Sequence, residues 1–357
     1  MRAVVYPRPN EITVTTEAEV RKPVAGEAIV RIKSSTLCAT DFKILAGKFP
    51  GIKFPHIPGH EWSGEVVETG PGVTELKVGD RVGEEPHVGC GRCPRCLEGL
   101  YTLCFNYGKI ETGHQHIGFT VNGGLADYCT CSVRALHKLP ESVSYDEGAF
   151  TESVGVALYA IERAKINPGD KIAIFGPGAI GLIAVQIARN AKGASKILLL
   201  GTRDDRLELG KRLGADSALN VKSASTQDEV VSKARESLGE EKTLGFDVVA
   251  EFAGTEDASR QAIQLARRGG RVVLAGSTSP GRMLSVDLST VVRGQLDVYG
   301  SLADPYGICR RGIDLMARGL VDVKPLMSGA YQLEEFEKAL KDFEQRAGGA
   351  YRVMIHP

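Results

Sequence analysis

Four cysteines with the spacing of a metal site lie within one short stretch of the chain. They follow a C-x2-C-x2-C-x7-C pattern at Cys90, Cys93, Cys96 and Cys104. Four thiolates in one loop suit a closed, tetrahedral zinc site, which leaves no position for a substrate, so we expect a structural zinc here. An iron–sulfur cluster uses similar cysteine runs and is the alternative. The redox role of such a cluster would compete with that of the dinucleotide indicated by the glycine-rich run described next.

A glycine-rich run indicates a dinucleotide site. Its residues are Gly176, Pro177, Gly178, Ala179, Ile180 and Gly181, a G-x-G-x-x-G pattern. The run follows an apolar segment, 171–175, and opens a stretch with helical spacing, which is the context that the motif requires. The first glycine permits a tight turn, the second lets a pyrophosphate approach the backbone, and the third packs the helix against the strand. The helix N-terminus then offers N–H groups to the phosphates.

The residues after the second strand of this region bear on which dinucleotide binds. An NAD site usually has an acidic residue there, about 20 residues beyond the glycines, to bind the ribose hydroxyls. This chain has Gly201, Thr202 and Arg203 instead. Without the carboxylate a 2′-phosphate is not repelled, and Arg203 can pair with it, so we expect NADP in preference to NAD. In the alternative interpretation, Arg203 is a solvated residue at a helix start and Asp204 or Asp205 serves the ribose.

A second set of possible metal ligands is spread along the chain. Cys38 is followed by Thr40 and Asp41, and His60 is followed by Glu61. Each group alone is a weak signal, but the surrounding pattern is specific. It reads Gly59-His60-Glu61-x2-Gly64-x5-Gly70-x2-Val73, and then Val78-Gly79-Asp80-Arg81-Val82. Together with the cysteine loop and the glycine-rich run in the same order, it resembles the zinc-dependent medium-chain alcohol dehydrogenases over essentially the whole chain.

This resemblance implies roles for the matching positions. Cys38 and His60 correspond to ligands of a catalytic zinc, and Thr40 to the hydroxyl that relays the substrate proton. Glu61 and Glu152 are the two candidates for the third ligand, and we expect both near the metal. Asp41 and Arg352 match a pair that braces the histidine ligand and the cofactor phosphates. The resemblance thus implies two zinc ions per chain.

The carboxylate in place of a third thiolate resembles the polyol (sorbitol-like) and threonine dehydrogenase branch. Threonine dehydrogenases usually have a histidine where this chain has Lys43, which weakens that assignment. The usual Glu-Pro of the polyol branch is altered to Glu152-Ser153. The expected activity is therefore hydride transfer between a secondary alcohol, such as a polyol or sugar alcohol, and a nicotinamide cofactor. An NAD-dependent threonine-like amino-alcohol dehydrogenase is the alternative.

The elements that position these residues fall into two patterns. Up to about residue 150, short β-rich runs such as 28–33, 64–68 and 80–83 alternate with Gly and Pro, which predicts an irregular, mostly antiparallel, GroES-like domain. From about residue 170, strands 171–175, 196–200, 246–250, 271–275 and 296–300 alternate with helices near 205–213 and 257–267. That alternation predicts an α/β Rossmann domain with a doubly wound parallel sheet.

The tail carries helical patterns at 308–317 and 333–344 and a strand at 352–355, and we expect it to pack back on the first domain. The predicted domains are therefore a catalytic zinc-binding domain, 1–154 with 304–357, and a dinucleotide-binding domain, 155–303. The strand at 296–300 resembles the edge by which family members dimerise, so we expect a homodimer or homotetramer.

Composition agrees with a globular enzyme and argues against other classes. The chain has 357 residues, enough for two domains, with 44 Lys plus Arg and 44 Asp plus Glu. A net charge of zero gives no reason to expect binding to nucleic acid or to an anionic membrane. It therefore argues against a nucleic-acid-binding protein of the zinc-ribbon type. No apolar run spans a bilayer and no signal peptide is evident, so we expect a cytoplasmic location. A non-catalytic dinucleotide sensor would be expected to lose Cys38, His60 or Thr40.

Several residues outside the motifs receive simpler interpretations. Cys129, Cys131 and Cys309 lack the spacing of metal ligands and are expected to be buried. Trp62 is expected to be packed rather than to bind substrate. For His114 and His116 we favour surface loop positions over the lining of a substrate cleft.

Overall fold

The computed structural model describes residues 1–241, 243–276, 281–346 and 351–357, and the chain divides into two compact units. The first unit comprises Met1–Gly155, Asp304–Arg318 and Val323–Pro357, and the second comprises Val156–Ala303 and Gly319–Asp322. The domain boundaries predicted from the sequence, 154/155 and 303/304, stay a prediction. No helix among the described residues is long and apolar enough to cross a membrane.

Short strands dominate the chain up to the first long helix. In chain order the elements are β1 (Ala3–Val5), β2 (Thr13–Thr15), β3 (Glu27–Thr36), α1 (Ala39–Leu45), β4 (Trp62–Thr69), β5 (Arg81–Glu84), β6 (His87–Val88), α2 (Pro94–Leu97), β7 (Gln115–His116), β8 (Tyr128–Ser132), β9 (Leu136–Lys138), α3 (Tyr145–Gly148) and α4 (Thr151–Arg163).

Strands and helices then alternate. The elements are β10 (Lys171–Phe175), α5 (Ala179–Gln186), β11 (Lys196–Gly201), α6 (Asp204–Arg212), β12 (Ser217–Asn220), α7 (Gln227–Glu236), β13 (Phe246–Glu251), α8 (Glu256–Leu265), β14 (Ala266–Leu274), α9 (Leu288–Gly294) and β15 (Asp297–Gly300). The tail adds α10 (Ile308–Ala317), β16 (Met327–Gln332), α11 (Phe336–Glu344) and β17 (Arg352–His356).

The main sheet of the first unit has seven strands, in the order β16-β17-β3-β4-β5-β9, with β8 also paired to β3. All its pairs are antiparallel except β16 with β17. β3 is central, and its buried apolar residues pack in one core with the fully buried Trp62 and Val82. β17 pairs with the end of β3, Met354 opposite Thr36. The tail therefore contributes β16 and β17 to the main sheet of the first unit.

The sheet of the second unit has six parallel strands in the order β12-β11-β10-β13-β14-β15. Numbered within the unit this is 3-2-1-4-5-6, the order of a doubly wound dinucleotide-binding sheet. The central strands are buried along nearly their whole length because helices cover both faces of such a sheet. The predicted fold class, an irregular β-rich domain plus a Rossmann domain, is confirmed. The switch point of this sheet, where the strand order reverses, lies between β10 and β13.

The structure also has elements that the sequence patterns do not predict. β12 is a strand of four half-buried residues, and α7 is a highly charged helix with only two buried positions, so neither carries a clear periodic signal. β14 begins at Ala266, five residues before the predicted start at 271. Its pairing with β13 shifts register between Phe246 and Val248, and the polar, glycine-containing bulge disguises the start of the strand.

Candidate functional site

The four clustered cysteines come together as the sequence predicts. Cys90 follows β6, Cys93 is the N-cap of α2, Cys96 lies in α2, and Cys104 follows a short 3₁₀ turn at Tyr101–Leu103. Their four sulfur atoms lie within 4.8 Å of one another, and the pairs Cys90–Cys96 and Cys93–Cys104 are each separated by 3.9 Å. A tetrahedron of Zn–S bonds of about 2.3 Å has S···S edges of about 3.8 Å. The geometry therefore fits a four-thiolate zinc site.

N–H groups around this loop are placed to stabilise thiolates. The backbone N–H of Asn106 donates to Cys104 Sγ at 3.4 Å, and its side-chain amide donates to Cys90 Sγ at 3.3 Å. Hydrogen bonds from the backbone of Arg92 and from Asn106 lower the pKa of Cys90 to about 5. Donors of this kind favour the charged sulfur that binds a metal.

A second potential metal centre gathers Cys38, His60 and Glu61, whose ligand atoms also lie within 4.8 Å of one another. Cys38 lies between the end of β3 and the start of α1, where it is the N-cap, and His60 and Glu61 immediately precede β4. Because β3 and β4 pair antiparallel, with Ser35 opposite Trp62, the end of one strand meets the start of the other. The sheet register thus brings together residues that are 22 positions apart.

Asp41 holds two of these residues. Its carboxylate accepts a hydrogen bond from the backbone N–H of Cys38 at 2.7 Å and lies 3.4 Å from Nδ1 of His60. Burial would lower the pKa of His60, but the Asp41 carboxylate outweighs it and holds that pKa well above its usual value. A carboxylate at Nδ1 leaves Nε2 to face a metal. Thr40, the expected proton relay, lies beside this group with its Oγ1 3.7 Å from Cys38 Sγ.

Glu61 is fully buried and held by three side chains. Thr36 donates a hydrogen bond to Oε2, Ser153 donates to Oε1 at 2.9 Å, and the Arg352 guanidinium donates to the same oxygen at 2.8 Å. Burial alone would raise the pKa of Glu61, but the charges of Arg352 and His60 lower it. Glu61 is therefore a charged carboxylate. Arg352 donates to this carboxylate and, at 3.0 Å, to the hydroxyl oxygen of Ser153. Its expected role toward the cofactor phosphates stays a prediction.

Glu152, the other expected carboxylate ligand, lies in the first turn of α4. It is not part of the group that lies within 4.8 Å, but its carboxyl group interacts with the charges of Glu61, His60 and Cys38. Burial and the neighbouring Glu61 charge raise its pKa well above the usual value. The pKa values of two carboxyl groups of one site are thus shifted in opposite directions. Thr36 and Ser153 orient Glu61, a role that the sequence analysis missed. Thr36 belongs to no recognisable motif, and Ser153 drew notice only as a departure from the usual Glu-Pro.

Glu84 at the end of β5 is a buried carboxyl group that the sequence analysis also missed. It is fully buried, and neither oxygen has a hydrogen-bond partner among the described residues. Burial raises its pKa well above 4.5; the charge of His60 opposes this, while Cys129, Glu152 and Asp304 add to it. Burial therefore keeps Glu84 protonated to a higher pH than a carboxyl group in water.

A pH dependence of stability follows from Glu84. Because its pKa is higher in the folded protein, the folded state keeps a proton that the unfolded chain releases above about pH 4.5. The free energy of unfolding therefore falls as pH rises toward the folded pKa, by up to about 1.4 kcal/mol per pH unit. Glu84→Gln should remove this loss, so in urea unfolding the variant gains stability over the parent between pH 6 and pH 9. The exposed Glu68→Gln on β4 is the control, and parallel pH profiles for parent and Glu84→Gln would contradict the assignment.

The glycine-rich run forms the turn between β10 and α5, at the carboxyl end of the sheet beside its switch point. Gly176 has φ of +93°, which favours glycine, and a Cβ on Gly181 would lie 2.0 Å from the carbonyl oxygen of Gly176. Nothing lies within 4 Å of a Cβ built on Gly178, the N-cap of α5. Pro177, Ala179 and Ile180 complete the turn. The loop thus has the open backbone and free helix N-terminus that bind a pyrophosphate.

Gly201 ends β11 beside this loop, and a Cβ there would lie 2.4 Å from the ring of Pro177. Thr202 is exposed, and Arg203 is the N-cap of α6. The Arg203 guanidinium lies 3.3 Å from the carboxylate of Asp205, while Asp204 accepts a hydrogen bond from Asn220 at 2.7 Å. Both acidic residues of the alternative interpretation therefore have partners in this structure.

The other residues singled out by sequence are all buried. Trp62, Cys129, Cys131 and Cys309 lie in the interior, as expected. The prediction that His114 and His116 occupy surface loop positions is wrong, because both side chains are buried. The nearby rings of Tyr107 and Phe119 contact them, and so do the distant rings of His87 and Phe49, whose contacts depend on the fold rather than on local sequence.

Comparison with known proteins gives the same picture over the whole chain. Residues 24–141 match the family model for the alcohol dehydrogenase GroES-like domain, and residues 179–318 match the model for zinc-binding dehydrogenase. Among curated relatives, sorbitol dehydrogenase of Bacillus subtilis (strain 168) is 31% identical over 362 residues, covering 100% of this chain and 97% of the relative.

Solved structures are similar over their full length as well. A protein from Sinorhizobium meliloti 1021, described as a zinc-binding dehydrogenase and bound to NADP, has a TM-score of 0.91 at 29% identity, with 100% of this chain and 99% of that chain covered. A protein from Escherichia coli CFT073, described as a short chain alcohol dehydrogenase and complexed with NADH, has a TM-score of 0.89 at 25% identity, with 100% and 99% covered.

Proposed function

The chain belongs to the zinc-dependent medium-chain alcohol dehydrogenases, in the polyol branch, and from this premise we propose that it transfers a hydride between a polyol or sugar alcohol and NADP. As a member of that family it is an alcohol oxidoreductase that uses zinc and a nicotinamide cofactor. The observation that carries the proposal is the group formed by Cys38, His60 and Glu61, with ligand atoms within 4.8 Å, in a chain that also has a dinucleotide-binding loop.

We assign the catalytic zinc to Cys38, His60 and Glu61, with Glu152 near the metal as the other candidate for the third ligand, and the structural zinc to the four cysteines from Cys90 to Cys104. A zinc ion at the catalytic site supplies Lewis acidity, which lowers the pKa of an alcohol toward neutrality. Asp41 keeps His60 oriented, and Arg352 keeps Glu61 charged and in place. The Thr40 hydroxyl, partly exposed beside Cys38, takes the proton of the alcohol and passes it toward solvent.

A spectrophotometric assay at 340 nm tests the proposed activity. The purified, zinc-loaded protein is supplied with sorbitol, xylitol, a simple secondary alcohol such as 2-butanol, or threonine, each with NADP and with NAD. We expect reduction of the cofactor with the polyols and preference for NADP. Absence of turnover with every alcohol would contradict the proposed function, and turnover confined to threonine with NAD would favour the threonine-like alternative.

The proposed preference for NADP is supported by the residues after β11, where Arg203 stands and Asn220 engages Asp204. The contact of Arg203 with the exposed Asp205, at 3.3 Å, would be exchanged for the 2′-phosphate. Arg203→Ser should raise KM for NADP about tenfold or more, because a charge-assisted pair with the 2′-phosphate is lost. KM for NAD should change by less than about threefold, since NAD has no phosphate there. Arg212→Ser, in the last turn of the same helix, is the control. Equal effects on both cofactors would show that Arg203 does not select between them.

We also propose that the protein is a homodimer or homotetramer that acts on small molecules in the cytoplasm. β15 is the edge strand of the six-stranded sheet, and nearby Leu288 and Val292 are 73% and 72% exposed. An uncovered strand edge with exposed apolar side chains favours association with a second copy. Sedimentation equilibrium of the purified protein gives the number of chains.

A further inference from the structure

Three buried histidines form a group that the proposed catalytic roles do not use, named here the histidine cluster: His87, His114 and His116. His87 on β6 and His116 on β7 are directly opposed in the two-stranded sheet, and their rings stack with centroids 3.7 Å apart. The ring of His114 lies edge-on to His87 at 6.5 Å. The pairing of two short strands therefore holds the cluster together.

Aromatic rings connect the histidine cluster to the catalytic centre. His116 stacks on Phe119 with centroids 3.7 Å apart, and Phe119 contacts the ring of His60 at 4.6 Å. Phe49 covers Phe119 from another side at 4.6 Å. One phenyl ring thus separates His116 from the metal-binding histidine. The histidine cluster therefore lies next to the catalytic centre, on the far side of Phe119 from His60.

The histidine cluster has unused hydrogen-bonding capacity. Among the described residues, neither ring nitrogen of His87 has a hydrogen-bond partner, and Nε2 of His114 has none. His116 has one ring partner, Tyr107, whose hydroxyl lies 2.7 Å from Nδ1. Buried polar groups without partners are uncommon in folded proteins and indicate a bound water or ligand. Three such nitrogen atoms in adjacent rings are therefore the signature of a polar occupant.

The charge state of the cluster limits the chemistry of that occupant. Burial and the neighbouring His114 lower the pKa of His87 to about 3, and burial lowers the pKa of His114 and, well below its usual value, of His116. The rings are therefore neutral at pH 7, and each neutral imidazole offers one donor and one acceptor. A hydroxyl group also has one donor and acceptor lone pairs. An ionised carboxylate or fully ionised phosphate only accepts hydrogen bonds and would leave the acceptor nitrogen of each neutral ring without a partner.

We propose that the histidine cluster binds hydroxyl groups of an uncharged polyol substrate, those beyond the carbon that is oxidised at the catalytic centre. This inference rests on the proposed function, because it places the polyol tail relative to Cys38 and His60. It makes His87, His114 and His116 determinants of specificity. They favour polyols over simple secondary alcohols, which have no further hydroxyl groups, and over phosphorylated sugar alcohols.

A binding experiment tests the proposal without relying on turnover. In the zinc-loaded protein with ¹⁵N-labelled histidine, sorbitol should shift the ring nitrogen resonances of His87 and His114, as assigned with single His→Phe variants. 2-Butanol should leave them in place, because it has no second hydroxyl group. If sorbitol moves neither resonance, the cluster holds water or nothing and the proposal is wrong. Shifts in a protein that shows no dehydrogenase activity would instead contradict only the proposed function.

Steady-state kinetics of histidine variants provide a second test of the proposal. His87→Phe keeps a stacked ring but removes both nitrogens, and should lower kcat/KM for sorbitol about 10- to 100-fold while 2-butanol changes less than about twofold. His87→Gln, which retains a donor and an acceptor, should recover much of the sorbitol activity and remains informative if the Phe variant does not fold. His356→Phe, at the end of β17, is the control. Equal losses for both alcohols, or a parent preference for sorbitol 6-phosphate over sorbitol, would overturn the proposal.

Discussion

Replacement of His60 by alanine is expected to abolish turnover while dinucleotide binding persists. The change removes one ligand of the catalytic zinc, and the Lewis acidity of such a site contributes several kcal/mol to the reaction. We therefore expect kcat to fall at least about 1000-fold, since each 1.4 kcal/mol is a factor of ten in rate. The glycine-rich loop belongs to the other unit and keeps its sequence. NADP binding, measured by fluorescence titration, should change by less than about threefold.

Two further variants sharpen this test. Cys38→Ser should have the same effect as His60→Ala, and both should lose one of the two zinc ions when metal content is measured by atomic emission. Asp41→Asn keeps the shape of the side chain that orients His60 but removes its charge. It should weaken zinc binding by about 10- to 100-fold rather than abolish it. Normal activity of either ligand variant would rule out the assignment of the catalytic centre.

Replacement of Cys93 by serine is expected to lower the melting temperature by about 10 °C or more. The proposed four-thiolate zinc would contribute folding free energy directly, because its site does not exist in the unfolded chain. Loss of several kcal/mol shifts the melting temperature of a domain this size by about 2–4 °C per kcal/mol. The loop is also short of regular structure, with one four-residue helix, so the metal is its main constraint.

The control for this prediction is Cys129→Ser, the same substitution at a buried cysteine outside both metal sites. It should retain two zinc ions and lose less than about 2 kcal/mol, as expected for one buried polar change. Differential scanning calorimetry and zinc content are measured on the same samples. If Cys93→Ser retains both metals and melts with the parent, the loop does not hold a structural zinc.

The parts of the fold that were predictable are those in which neighbouring residues carry the signal. The strand Lys171–Phe175 and the turn from Gly176 to Gly181 are recognisable because the apolar run, the glycine spacing and the following helix lie within 20 residues. The cysteine loop is equally local. The pairing of Cys38 with His60 was inferred from a family pattern, and the register of β3 and β4 shows why those two positions meet.

Other features depend on contacts between distant segments and leave no local trace. Arg352 reaches Glu61 across 291 positions, so its buried ion pair could not be read from either neighbourhood. His114 and His116 look like surface loop residues because a glycine-rich stretch surrounds them. They are buried, and His116 contacts the rings of His87 and Phe49, which lie 29 and 67 positions away. α7 was not predicted for a different reason: most of its residues are polar or charged and only two are buried, so the apolar periodicity is weak.

The hydrogen bond from Arg352 to Glu61 has a consequence for the order in which the protein is made. Glu61 and the other metal-binding residues leave the ribosome early, but the guanidinium that compensates the buried carboxylate arrives with β17, after residue 351. A nascent or truncated chain that lacks this strand keeps an uncompensated charge in its interior, which disfavours the folded first unit. Formation of the catalytic centre is therefore coupled to the synthesis of β17.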